Sequence, residues 1–165
     1  MKIRKKALLY DIANMAYMIA DTGEPLNHSL HKVRDICEEG NIDRVSRILG
    51  IAYAEILNVL SPVMSPSGLN PCRDNSSVPH DYSIEFSDNE FLRFRLTTER
   101  KLKIRERAHE YMVGMALADW LGMTLPPAAD VWKERAEEAI CSLKELVASV
   151  MAGSAAGFRR RISVI

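Results

Sequence analysis

The sequence predicts a mainly α protein: a bundle of about five helices with a small β-hairpin and an extended C-terminal arm. Three observations predict this fold class. Apolar residues recur at helical spacing through most of the chain, one short stretch alternates apolar and polar residues as strands do, and the chain ends in small residues, arginines and alternating apolar residues. The 165 residues suffice for one domain, which we place at residues 1–152, with the arm at residues 153–165.

The first part of the chain contains three predicted helices. The first, over 7–21, is predicted by apolar residues at positions 8, 9, 12, 13, 16, 19 and 20. A second helix is expected over 27–38. The third follows Asn41 as its N-cap, carries the most regular apolar stripe of the chain and ends before Pro62.

A loop and a β-hairpin are predicted between the helices. The stretch 62–80 holds four of the seven prolines with many serines and asparagines, which predicts a long surface loop. Residues 82–96 alternate apolar and polar residues around the turn SDNEF, and the register that this turn sets pairs Glu85 with Arg93. The same register puts six apolar residues on one face: Tyr82, Ile84, Phe86, Leu92, Phe94 and Leu96.

Two further helices complete the predicted bundle. The fourth runs from Thr98 to about Gly122; its first half is polar and its second half is apolar nearly all round, so we expect the second half to be buried on most sides. Thr124 is the expected cap of the fifth, which starts at Pro126 and Pro127, where a missing N–H group costs little. Its inner stripe is Trp132, Ala136, Ala139, Ile140, Leu143, Val147 and Val150.

Composition excludes few classes of function. Lys plus Arg equals Asp plus Glu at 22 each, so net charge predicts neither nucleic-acid nor membrane binding. The three cysteines form no CxxC pair, which argues against a disulfide framework or a zinc knuckle. No stretch reaches the roughly 18 apolar residues that span a bilayer, so a cytoplasmic location and no membrane partner are expected.

Three groups of residues could carry chemistry, and each has a plainer structural interpretation. His28, His31 and Asp35 fall near one helical face, yet a zinc site needs further ligands. Asp119 lies in an apolar stretch, where pairing with Arg or Lys across a helix interface explains it better than acid–base chemistry. His109 sits in a charged stretch that suits a solvated face or a subunit contact.

Familiar catalytic motifs are absent from the sequence. It contains no GxGxxG, GxxxxGK[ST], GxSxG or HExxH. We therefore expect a protein that is not an enzyme, with no catalytic residue, no metal and no cofactor.

The C-terminal arm is the strongest functional candidate in the sequence. Residues 151–157 are Ala, Gly and Ser after one Met, which favours a flexible joint, and the residues beyond it have strand character. A strand-like arm finds no local partner, so we expect it to add to the sheet edge of a neighbour. The predicted partner-binding residues are Phe158, Arg159, Arg160, Arg161, Ile162, Val164 and Ile165; Arg93 and Arg95 are predicted to make channel or axial contacts.

Two segments resemble the small helical connector and completion proteins that tailed bacteriophages place between portal and tail. They are HEYMVGMALADWLGMTLPPAADVWKERAEEAICSLKELV (109–147) and the arm GFRRRISVI. The resemblance implies a head–tail connector (neck) subunit of a phage or prophage: a non-enzymatic structural protein that assembles as a homo-oligomeric ring and contacts portal and tail proteins. It also implies a place in the virion neck, reached from the cytoplasm, and possible non-specific contact with DNA in a channel.

A second interpretation remains open. The first residues, MKIRKK, and the three arginines at 159–161 make both ends of the chain basic, as in a small cytoplasmic regulator that binds nucleic acid. The sequence shows no interleaved aromatic residues and no recognisable helix-turn-helix at these ends. Such arginines would contact phosphates only.

Overall fold

The computed structural model describes the backbone of residues 1–22, 29–65 and 81–162, and the side chains of residues 1–21, 32–65, 81–90 and 92–152. This part of the chain forms six α-helices and a two-stranded antiparallel sheet, which confirms the mainly α fold class. None of these helices is long and apolar enough to cross a membrane. In chain order the elements are β1 (Lys2–Arg4), α1 (Lys5–Thr22), α2 (Ser29–Arg34), α3 (Ile42–Leu60), β2 (Asp81–Ser83), α4 (Glu90–Arg95), α5 (Thr98–Thr124) and α6 (Pro126–Ile162).

Helices α1 and α3 form where their apolar stripes predict them. On α1 the buried positions recur every four residues, which is the spacing of one helix face: Leu8, Ile12, Ala16 and Ala20. Asn41 precedes α3 as predicted, but its side-chain amide donates to the backbone oxygen of Asp35 at 2.8 Å instead of capping the helix. Helix α2 is shorter than predicted, because the chain tightens into a 3-10 turn at Asp35–Cys37.

Helices α5 and α6 form a hairpin whose inner faces make up much of the core. Leu117 and Leu121 are fully buried on α5, and each buried side chain of this size contributes about 1.5–3 kcal/mol through the hydrophobic effect. The two helices approach closely at Gly114, where an added Cβ would lie 3.0 Å from the Cβ of Ala136. Thr124 ends α5, and its hydroxyl donates to the backbone oxygen of Trp120 at 3.0 Å, so the expectation that it caps α6 is wrong.

The small sheet has a different second strand from the one predicted. Strand β2 pairs antiparallel with β1 at the start of the chain, with Ile3 opposite Tyr82, and both of these side chains enter the core. The predicted strand at 92–96 is wrong: helix α4 occupies residues 90–95. The pairing edge of β2 is taken by β1, and in a helical turn Leu92 and Leu96 both reach the core.

The predicted extended arm is wrong for residues 153–162, because α6 continues to Ile162. No proline interrupts the chain after Pro127, and Gly153 and Gly157 each cost only about 1 kcal/mol in a helix that is already formed. Helix α6 is therefore ten residues longer than α5. Val164, Ile165 and most of the predicted loop, residues 66–80, lie outside the described residues.

Candidate functional site

Asp119 forms a cross-helix ion pair, as the plainer interpretation of the sequence predicts. Its two carboxylate oxygens accept from the guanidinium of Arg44 on α3, at 2.9 and 3.2 Å. This contact raises the pKa of Arg44, first through the hydrogen bond and then through the charge of Asp119. The carboxylate is thus held by a permanent cation and ties α3 to α5.

His109 makes a second cross-helix contact, on another face of α5. Its Nε2 lies 2.7 Å from the carboxylate Oδ2 of Asp11 on α1, with both side chains partly exposed. The next residue, Glu110, accepts a hydrogen bond of 2.6 Å from Arg107 on its own helix. The charged stretch that the sequence assigns to a solvated face therefore includes one residue, His109, that positions α1 against α5.

Two surface depressions meet at His109 and Glu110. The first, which we call the basic cleft, has a volume of about 690 Å³ and lies beside β1, the start of α1 and the first half of α5. Its cations are Lys2, Arg4 and Arg105. The second, which we call the apolar groove, has a volume of about 450 Å³, and its apolar lining includes Met15, Val113, Trp132 and Ala139.

The outward side of α1 carries large apolar side chains next to the apolar groove. Tyr10 is 68% exposed, Tyr17 is 54% exposed and Met18 is 56% exposed, and we call these three residues the α1 face. Tyr10 and Tyr17 lie two helical turns apart and so share one side of the helix. The guanidinium of Arg34 lies 4.8 Å from the ring centre of Tyr17, which holds that ring in place.

Buried polar contacts fix the elements that carry these surfaces. The indole Nε1 of Trp120 donates to the backbone oxygen of Val33 at 3.2 Å, which ties α5 to α2. The thiol of Cys37 donates to the backbone oxygen of Leu9 at 3.5 Å. Burial raises the pKa of Cys37, so the reactive thiolate is disfavoured at this position.

The other residues that the sequence singles out are dispersed. Arg93 is exposed on α4, whereas Arg95 donates to the backbone oxygen of Val150 on α6 at 3.3 Å and so joins two helices. The side chains of His28 and His31 lie outside the described residues, as do those of the predicted partner-binding residues from Phe158 on. Within the described ranges no group of three or more His, Cys, Asp or Glu side chains could hold a metal ion.

Comparison with known proteins gives no relative: no protein-family model, curated protein or solved structure matches this chain. The residues that sequence reasoning missed are those of the basic cleft and the α1 face. Positive charge at MKIRKK is visible in the sequence, but its place beside Arg105 depends on the pairing of β1 with β2. Tyr10 and Tyr17 stand off the apolar stripe of their helix, and this is the signal that could have identified them.

Proposed function

We propose that the protein is a non-enzymatic assembly protein, a head–tail connector (neck) subunit of a tailed phage or prophage that forms a homo-oligomeric ring. The observation that carries the proposal is the α1 face. Exposed aromatic and methionine side chains that cluster beside a groove are typical of protein–protein contacts. The resemblance of residues 109–147 to phage connector proteins supports this kind of assembly.

The α1 face suits a contact between copies because α1 is held rigidly. Its opposite side is buried in the core, and Asp11 fixes it to His109 on α5. A backbone that is already fixed needs no further ordering when a partner covers it, and a tyrosine side chain has only two torsion angles to restrict. Tyr10 and Tyr17 therefore offer apolar area for a subunit contact at low entropic cost.

The proposed occupant of the apolar groove is the α1 face of the next copy. The face is a convex row of side chains, whereas the groove is concave and contains Trp132, so the two surfaces differ in shape. A contact between two different surfaces is heterologous, and repeated heterologous contacts close into a ring when the rotation permits. Portal and tail proteins would then meet the ends of the ring, with residues 158–162 of α6 and exposed Arg93 as the proposed contacts.

The oligomeric state of the full chain tests this proposal. We expect light scattering and native mass spectrometry to give a single closed oligomer, and negative-stain electron microscopy to show rings. The variant Tyr10→Lys/Tyr17→Lys is expected to be monomeric, because it removes the two aromatic rings that would pack against the apolar lining of the neighbour's groove.

The matched control is Ile51→Lys/Phe94→Lys, which places the same charges at apolar residues of α3 and α4 that are 52% and 84% exposed. This variant is expected to keep the rings, and circular dichroism should show that both variants stay folded. A monomeric wild-type chain, or equal dissociation in the two variants, would refute the proposed contact.

The contact with portal protein is tested by removing residues 153–165. The truncated chain is expected to form rings of the normal size and to lose binding to the portal protein of the same phage or prophage, measured by co-sedimentation of purified rings. Unchanged binding would remove the C-terminal residues from the proposed function.

A second candidate function is the small cytoplasmic regulator that binds nucleic acid. One observation favours it: Lys2 and Arg4, from the basic start of the chain, are both exposed on one side of β1. A regulator should prefer one DNA sequence over others and should not need a ring. Gel-shift assays with several duplexes distinguish the two candidates.

A further inference from the structure

The three cations of the basic cleft lie outside the apolar groove that the proposed ring contact uses. Lys2 and Arg4 lie on the same side of β1, since alternate residues of a strand face the same way, and Ile3 between them is buried. Arg105 faces the cleft from α5, where the neighbouring Ile104 is fully buried. All three cations are therefore held on regular elements that pack into the core.

The cations of the cleft have no partner among the described residues. Lys2, Arg4 and Arg105 make no side-chain hydrogen bond or ion pair in that part of the chain, whereas Arg44 and Arg107 are each bound to a carboxylate.

Two carboxylates also line the cleft. Glu110 is neutralised by Arg107, so Glu106 is the carboxylate left to oppose the three cations. The lining consequently has an excess of positive charge in a concave surface.

We propose that the basic cleft binds the phosphate groups of duplex DNA. The volume of the cleft, about 690 Å³, is larger than one phosphate group needs and suits a stretch of DNA backbone with several phosphates. The described lining contains no Phe, Tyr or Trp, and the imidazole of His109 is engaged by the carboxylate of Asp11, so recognition is limited to the backbone and is independent of sequence. The proposal deepens the proposed function, because it names a surface by which a neck ring contacts the DNA that passes through it.

The test compares two variants of equal charge change. The cleft variant is Lys2→Gln/Arg4→Gln/Arg105→Gln. The control variant, Lys32→Gln/Lys133→Gln/Lys144→Gln, removes three exposed cations from α2 and α6. Fluorescence anisotropy with a short labelled duplex measures the dissociation constant over a range of salt concentrations, and light scattering measures the oligomeric state of the same samples.

We expect the wild-type chain to bind duplexes of different sequence equally and to lose affinity as salt rises. Each phosphate contact contributes close to one unit to the slope of log K against log salt, so the cleft variant should lose about three units of slope per subunit bound. Its affinity at low salt should fall by about tenfold or more, whereas the control variant should bind like the wild type.

Three results would overturn the proposal: no binding of duplex DNA at low salt, equal loss in the two variants, or a clear sequence preference. Titration with inorganic phosphate distinguishes a site for small anions, since the cleft variant would then lose phosphate binding while both variants bound DNA alike. The oligomeric state is measured separately, so the two proposals can fail independently. Rings that do not bind DNA would refute only DNA binding by the basic cleft. Monomers that bind DNA through the cleft would refute only the proposed ring.

Discussion

The two halves of α5 lie in different surroundings although they belong to one continuous helix. From Tyr111 to Leu121, eight residues are buried, whereas in the half before it only Ile104 and Ala108 are. The buried half packs against α6 and supports the bundle, and the exposed half presents Arg105 to the basic cleft. The residues that stabilise the bundle and the surface that we propose binds DNA thus lie on different halves of the same helix, and variants of the two halves should fail in different ways.

The largest expected effect is in the buried half, at Gly114. The variant Gly114→Leu should lower the free energy of unfolding by about 3 kcal/mol, because the space beyond the Cα is filled by the side chain and backbone of Ala136. Urea denaturation measures the change.

The matched control is Gly50→Ala in α3, where an added Cβ meets nothing within 4 Å. It should raise the free energy of unfolding by about 0.5–1 kcal/mol, since alanine favours the helix. If Gly114→Leu were tolerated as well as Gly50→Ala, the close packing of α5 on α6 would be wrong.

The second largest expected effect on stability is in the β1–β2 sheet, which lies beside the exposed half of α5. Tyr53 and Tyr82 pack with ring centres 4.9 Å apart, and the hydroxyl of Tyr53 donates to the backbone oxygen of Ser83. The hydroxyl of Tyr82 is buried and has no hydrogen-bond partner among the described residues. In the buried half, by contrast, the hydroxyl of Tyr111 donates to Glu55 and the indole of Trp120 donates to Val33.

The variants Tyr82→Phe and Tyr53→Phe should therefore change stability in opposite directions. Tyr82→Phe removes an unsatisfied buried hydroxyl and should raise the free energy of unfolding by about 1 kcal/mol, whereas Tyr53→Phe removes a hydrogen bond and should lower it by about 1 kcal/mol. Thermal and urea denaturation at neutral pH measure both. A loss of stability in Tyr82→Phe would mean that its hydroxyl has a partner.

The same residue predicts a dependence on pH. Burial raises the pKa of Tyr82 from 10.0 to about 12, and burial also raises the pKa of Tyr53. Between pH 10 and 12 the unfolded chain releases the phenolic proton first, so the free energy of unfolding falls with rising pH by at most about 1.4 kcal/mol per unit for Tyr82. Tyr82→Phe should remove most of this fall; an unchanged pH profile would contradict it.

The sequence predicts which half of α5 is buried, but it does not predict which elements lie beside each half. TERKLKIRER and YMVGMALADWLGM differ enough in polarity to predict which half is buried. Strand β1 has three residues, too few for a periodic signal, and its partner is about eighty residues away in the chain. The basic cleft depends on that pairing, so a local pattern could not have located it.

Two local patterns were ambiguous in a way that only the folded chain resolves. Leu92, Phe94 and Leu96 fit a strand when all three are counted, but Leu92 and Leu96 alone fit a helix, and burial selects the helix because Phe94 is 84% exposed. Small residues after Met151 indicate a joint when they are considered alone. When the same residues follow a long helix, they extend it, because adding a residue to an existing helix costs less free energy than starting a new helix.

The smallest expected effect concerns the ion pair at the edge of the buried half. Arg44 and Asp119 are 48% and 31% exposed, so water screens their attraction. A double-mutant cycle with Arg44→Ala and Asp119→Ala should give a coupling of about 0.5–1 kcal/mol that decreases at high salt. The coupling of Glu99 with Lys103, both in the exposed half of α5, should be smaller, because those side chains are 76% and 55% exposed and lie on one helix. If the coupling of Arg44 with Asp119 did not change with salt, water would not reach the pair. The contact between α5 and α3 would then be more deeply buried than the exposure of these two side chains indicates.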